Sequence, residues 1–300
     1  MRPAFSVLFL TTLIGAGQGL FLALFMCELL APASVSSNFL AGGSAIILVL
    51  CSLGLIASFF HLGHPERAWR SAMMWRTSWL SREVIALPAF IAVDFAYGLA
   101  HWTGFGHTLL IGTVGVVMAV VLFICTAMIY AAIKVLKEWS HPLTLVNFTL
   151  LGITSGMTLA AAYAGFFAPD LTVPLSQAAF VLTVLALLMR GASLWRNARL
   201  TPASTLQSAI GIRHPRIVQK AQGAMGGSYN TREYFHGKSI KFVRGVIVVM
   251  ILGVFVLPLV LVLTLPLLAF VLQYIGLLAE RWYFFAEAKH PQNLYYQGNS

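Results

Sequence analysis

The chain has 300 residues, of which 59% are hydrophobic and only 9% charged, and its mean hydropathy is +0.85. A soluble domain of this size exposes far more charge, so the composition defines an integral membrane protein. The formal net charge of +10 flanks apolar runs rather than forming one patch. Anionic lipid and a soluble partner subunit are therefore the expected counterparts, and nucleic acid is not.

A spanning helix needs about 20 mostly apolar residues, which predicts eight spans at roughly 5–30, 39–61, 83–102, 107–133, 143–168, 174–195, 243–263 and 265–288. The expected fold is an all-α bundle of eight transmembrane helices forming a single domain over residues 1–300. The first run lacks a small-residue cleavage site and is expected to persist as a helix. Within it, Gly15 and Gly19 flank Gln18 at a spacing suited to close helix contact. Glu28, near the outer end, is expected to meet water.

Between the second and third spans lies His61-Leu-Gly-His-Pro-Glu-Arg67, continuing through Arg70, Arg76 and Arg82 to Glu83. It gathers titratable and aromatic residues at the mouth of two apolar helices. Redox or proton chemistry at a membrane surface is one reading; an ordinary basic loop with a tryptophan belt is the other. Asp94 falls near mid-membrane in the third span, as a proton-relay carboxylate or a neutral acid bonded to a neighbouring helix. Arg190 closes the sixth span.

Residues 196–241 form a loop much longer than the others, and its aromatic and glycine content suggests a structured docking segment for a partner. The last two spans come from one apolar run, with Pro258 and Pro266 bracketing the expected turn. Glu280 and Arg281 then lie at the depth of Arg190, His61 and Glu83. Interfacial salt bridges or snorkelling would also account for these arginines.

Eighteen of the nineteen lysines and arginines fall at the termini, in the loops after spans two, four and six, or at the matching helix ends; Arg190 is the nineteenth. The opposite loops carry none. By the positive-inside rule the basic side, with both termini, is expected to be cytoplasmic. Cys27, Cys51 and Cys125 lie inside spans without Cys-x-x-Cys spacing, so neither an iron–sulfur cluster nor a disulfide is expected. No two histidines face each other at mid-membrane, so no haem is expected either.

The pattern His-Leu-Gly-x-Pro-x-Arg-Ala from His61 to Ala68, with Ser-x-Leu-Ser-x-Glu from Ser78 to Glu83, resembles the membrane anchor subunit of the dimethyl sulfoxide reductase family. Glu-Arg-x-x-Phe-Phe from Glu280 to Phe285 resembles that family's last helix. The resemblance implies an anchor that exchanges electrons between an iron–sulfur subunit and membrane quinone, ubiquinone or menaquinone, while a molybdopterin subunit performs the substrate chemistry. It ties His61 and Glu83 to quinone binding and proton handling. Arg67 would polarise a carbonyl or hold the partner, and Arg190, Glu280 and Arg281 would complete the pocket.

The long loop and the cytoplasmic placement look most like the anchor of the cytoplasmic sulfite-oxidising molybdoenzyme, set in the bacterial inner membrane. Sulfite-to-quinone electron transfer is therefore expected ahead of quinol-driven dimethyl sulfoxide reduction. A secondary transporter would need substrate groups at the midplane and internal repeats. Only Asp94 and Gln18 lie there, and no repeat is evident. A purely structural anchor, with quinone bound elsewhere, is the remaining alternative.

Overall fold

The computed structural model describes residues 1–60, 62–201, 204–218, 220 and 236–295. Eight long helices run through it: α1 (Phe5–Leu30), α2 (Ser37–Phe59), α3 (Trp79–Thr103), α4 (Thr108–Ala131), α5 (Pro142–Phe167), α6 (Pro169–Ala198), α7 (Ile240–Leu261) and α8 (Pro266–Glu287). No strand occurs among the described residues.

The first seven are long and apolar enough to cross a membrane. The predicted eighth span, α8, falls outside that set. It is a 22-residue helix whose buried face carries Gln273, Glu280 and Arg281. Polar residues of this kind are tolerated where protein rather than lipid surrounds them, and α8 packs on α1, α5 and α7.

Most helix ends lie close to the expected bounds, and two starts differ instructively. α3 begins at Trp79, because the Ser78 side chain accepts a hydrogen bond from the Ser81 amide at 3.3 Å and caps the first turn. Glu83 thus lies a full turn inside the helix. α6 begins at Pro169, directly after Ala168, where a loop to residue 173 was expected. Proline suits the first helical position, since its missing N–H would be unpaired there anyway, and Asp170 complements the helix dipole. The segment after α2 is also more ordered than a loop: Pro65–Met74 forms a ten-residue 3-10 helix.

α1 and α5 are the most enclosed helices and form the centre. With little hydrophobic drive between helices in lipid, close packing through small residues holds such pairs together. A Cβ on Gly19 would lie 2.3 Å from the Gly152 carbonyl oxygen, and one on Gly156 would lie 2.2 Å from the Gly19 carbonyl carbon. α7 and α8 repeat the device at Gly253 and Gly276. There α7 widens into a π-turn over Leu252–Val256, and the Gln273 amide approaches the Val254 carbonyl oxygen at 3.4 Å.

The ends near residues 1, 139 and 288 meet. The Met1 amine lies 3.1 Å from the Ala288 carbonyl, and the Trp139 indole donates to the Phe284 carbonyl at 2.9 Å. This end carries the basic loops. The start of the long loop is fastened here too: Arg196 donates to the Lys137 carbonyl at 3.0 Å, and Lys137 to the Thr201 carbonyl at 3.3 Å. Leu206–Ile210 adds a short helical segment. Residues 202, 203, 219 and 221–235 of that loop lie outside the described residues.

Candidate functional site

At a rise of about 1.5 Å per residue, Glu83 sits about 6 Å along α3 from its basic end, Arg281 about 9 Å from the end of α8, and Arg190 about 12 Å from the end of α6. All three are buried, as is Glu280. Glu83 accepts a hydrogen bond from the Thr126 hydroxyl of α4 at 2.6 Å. The α3–α4 pairing sets this contact, since Thr126 lies a comparable distance from the basic end of the antiparallel neighbour.

Glu83 and Arg281 line one cavity with Thr11, Thr12, Gln18, Thr126 and Ser155 as its other polar side chains, and Phe123 and Phe148 among its apolar ones. The space accommodates water-sized occupants rather than an aromatic head group. It reaches from the depth of Glu83 to that of Gln18, whose amide donates to the Ala119 carbonyl at 2.8 Å.

Behind the cavity runs a chain of buried charges. Arg190 Nε lies 2.9 Å from Glu280 Oε1, and Arg281 Nη1 lies 3.1 Å from Glu280 Oε2. Arg190 Nη2 is 3.9 Å from Glu287 Oε2, and Glu287 accepts from Asn197 at 3.0 Å. The contacts to Glu280 are ion pairs rather than aligned hydrogen bonds, and Arg281 Nε is buried with no hydrogen-bond acceptor among the described residues. The Arg281 guanidinium also lies 3.6 Å from the Phe148 ring centroid, so its charge rests on an aromatic face.

An aromatic group closes the basic end above this array. The Phe284 ring stacks on Trp139 with centroids 5.2 Å apart, and Phe285 meets Tyr130 edge-on at 5.3 Å. The Glu-Arg-x-x-Phe-Phe segment therefore has two faces: charge toward Arg190 and the cavity, rings toward the α4–α5 turn.

The structure thus brings Glu83 and Arg281 to one cavity and joins Arg190, Glu280 and Arg281 in direct contact. Arg67 stands apart. It is exposed on the 3-10 helix, 3.7 Å from the equally exposed Glu66. His61 lies outside the described residues. Sequence reasoning missed Thr11, Thr12, Thr126, Ser155, Asn197 and Glu287. Gln18 was assigned to packing, yet Thr11, Gly15 and Gln18 recur at helical spacing, and that polar stripe on α1 was the available signal.

A helical membrane bundle with a polar cavity near its basic end, backed by buried ion pairs, defines an integral membrane protein. The profile of the DMSO reductase anchor subunit (DmsC) family matches residues 1–286. A sulfite dehydrogenase subunit of Allochromatium vinosum is 52% identical to this chain over 99% of both proteins. The chain belongs to the DMSO reductase anchor subunit family and is a membrane anchor of an oxidoreductase.

Proposed function

We propose that this chain exchanges electrons between an iron–sulfur subunit and membrane quinone, in a complex whose molybdopterin subunit oxidises sulfite. The observation that carries the reading is the meeting of Glu83 and Arg281, nearly 200 residues apart in sequence, across a polar cavity near the basic end of the bundle. Sulfite oxidation to sulfate releases two electrons, and reducing a quinone to quinol consumes two electrons and two protons. The protons need a polar route through greasy surroundings, which the cavity provides.

The cavity is too narrow for the quinone ring, so we assign the ring to the basic-end mouth, between the 60s segment and the start of α3. His61, on the resemblance, hydrogen-bonds a quinone oxygen and passes a proton, as a neutral imidazole can. Glu83 carries the proton to or from the polar cavity it lines. Arg67, exposed at the mouth, faces the partner or the ring. Arg281, held by Glu280, presents its guanidinium to the cavity and offsets negative charge as it develops on the reduced ring. The basic end faces the cytoplasm of the bacterial inner membrane, with the partner subunits and the docking loop on that side.

The match to the A. vinosum sulfite dehydrogenase protein favours sulfite oxidation; the family description keeps quinol-driven reduction of dimethyl sulfoxide as the second reading. Assays on the purified complex separate these roles. His61→Ala and Glu83→Gln should each lower sulfite-dependent quinone reduction at least about 100-fold, the scale of a lost acid–base group, while turnover with an artificial electron acceptor stays intact. Unchanged quinone reduction in both variants contradicts the proposal. Quinol-driven reduction without sulfite oxidation would establish the second reading.

A further inference from the structure

On α3, residues 83, 87, 90, 94, 97 and 101 alternate three- and four-residue steps and so share one face, and all six are buried. Leu87 and Phe90 insulate Glu83 from the polar groups beyond. Asp94 lies about 22 Å along the helix, near its middle, and is fully enclosed. The Ser44 hydroxyl of α2 lies 2.9 Å from Asp94 Oδ1 and donates to it. Gly98 permits this approach, since a Cβ there would fall 2.5 Å from Ser44 Oγ. Asp94 Oδ2 is buried without a hydrogen-bond partner.

One turn further on, Glu28 of α1, expected to meet water, is enclosed instead. Its side chain is 11% exposed. The Tyr97 hydroxyl donates to Glu28 Oε2 at 2.6 Å, and the Thr108 hydroxyl of α4 donates to Oε1 at 2.6 Å. His101 Nε2 lies 3.4 Å from Oε1, and its ring meets Tyr97 edge-on at 4.6 Å between centroids. Asp94 and Tyr97 lie three residues apart on this one buried face of α3, and Cys27 precedes Glu28 on α1. An unshared carboxyl oxygen inside a membrane bundle is costly, and packing alone has no need of it.

We propose that Asp94, Tyr97, Glu28 and His101 form a proton relay linking the middle of the bundle with the end opposite the basic loops. Asp94 holds a proton and releases it toward the Tyr97 hydroxyl. Tyr97 passes its own proton to Glu28 Oε2 as it accepts the next, and Glu28 delivers one to His101 Nε2, near the end of α3. The reverse order reloads Asp94. Each step exchanges one O–H or N–H bond for another, and no electron moves. Leu87 and Phe90 separate the relay from Glu83 along α3, and its other end, at His101, lies near the far side.

Infrared spectroscopy of the full chain in lipid nanodiscs tests this without partner subunits or quinone. A carboxylic acid C=O band that disappears in Asp94→Asn should shift promptly on transfer to D2O. Tyr97→Phe keeps the ring contacts but removes the hydroxyl, and should slow that shift by about tenfold, the scale of one lost hydrogen bond. Glu28→Gln should slow it similarly. Should Asp94→Asn fail to fold, the Tyr97→Phe comparison still reads the same band. The proposal is overturned if no acid band belongs to Asp94, if the band exchanges as slowly as the core amides, or if Tyr97→Phe leaves its rate unchanged.

Discussion

A guanidinium buried two turns inside a membrane helix persists only if protein answers its charge. Arg190 meets that condition through Glu280 at 2.9 Å and, more distantly, Glu287. Removing it leaves Glu280 with Arg281 alone and Glu287 with no arginine beside it, so Arg190→Met should destabilise the protein by about 3–5 kcal/mol, read as a lower unfolding temperature in detergent. Arg190→Lys, which keeps the charge but loses the planar fork, should fall between. A Met variant as stable as the parent would mean that the ion-pair chain is not enclosed. The depth of Arg190, Glu280 and Arg281 was legible in the sequence because rise per residue converts position into height. Their partners were not. Height says nothing about the angle at which a side chain leaves its helix, so Glu287, Asn197 and the Thr126–Glu83 bond became visible only once α3, α4, α6 and α8 were set beside one another.

At the scale of helices, hydropathy located all eight segments, and seven of them are long and apolar enough to cross a membrane, because lipid demands an apolar surface wherever a helix touches it. α8 escapes that demand on one face, and its polar residues made it the segment that composition describes least well. The starts of α3 and α6 depended on Ser78 and Pro169, local signals that a hydropathy window averages away. Helix contacts yield a contrasting pair of expectations. A methyl group at Gly156 would collide with backbone of α1, which cannot step aside as a side chain can. Gly156→Ala should therefore push α1 and α5 apart and sharply reduce folded yield. Gly191 in α6 has open space where its Cβ would be, so Gly191→Ala should be neutral or stabilise by up to about 1 kcal/mol through helix propensity. Equal tolerance at both sites, measured by size-exclusion profile and melting temperature, would refute the close packing of α1 on α5.

Across the whole molecule, polarity is distributed unequally. The basic end gathers the loops, the ion-pair chain and the cavity, while the far end holds the Asp94–Glu28 cluster, and Leu87 and Phe90 divide them along α3. Charge asymmetry, family resemblance and the cavity all favour the basic end as the seat of the proposed electron exchange. The most direct measurement is photo-cross-linking of a light-activated quinone analogue to the purified complex, followed by peptide mapping. The account predicts labelling of this chain between residue 60 and the first turns of α3, competed away by excess quinone and weakened by Glu83→Gln. Labelling confined to a partner subunit, or to the far end of the bundle, would contradict it.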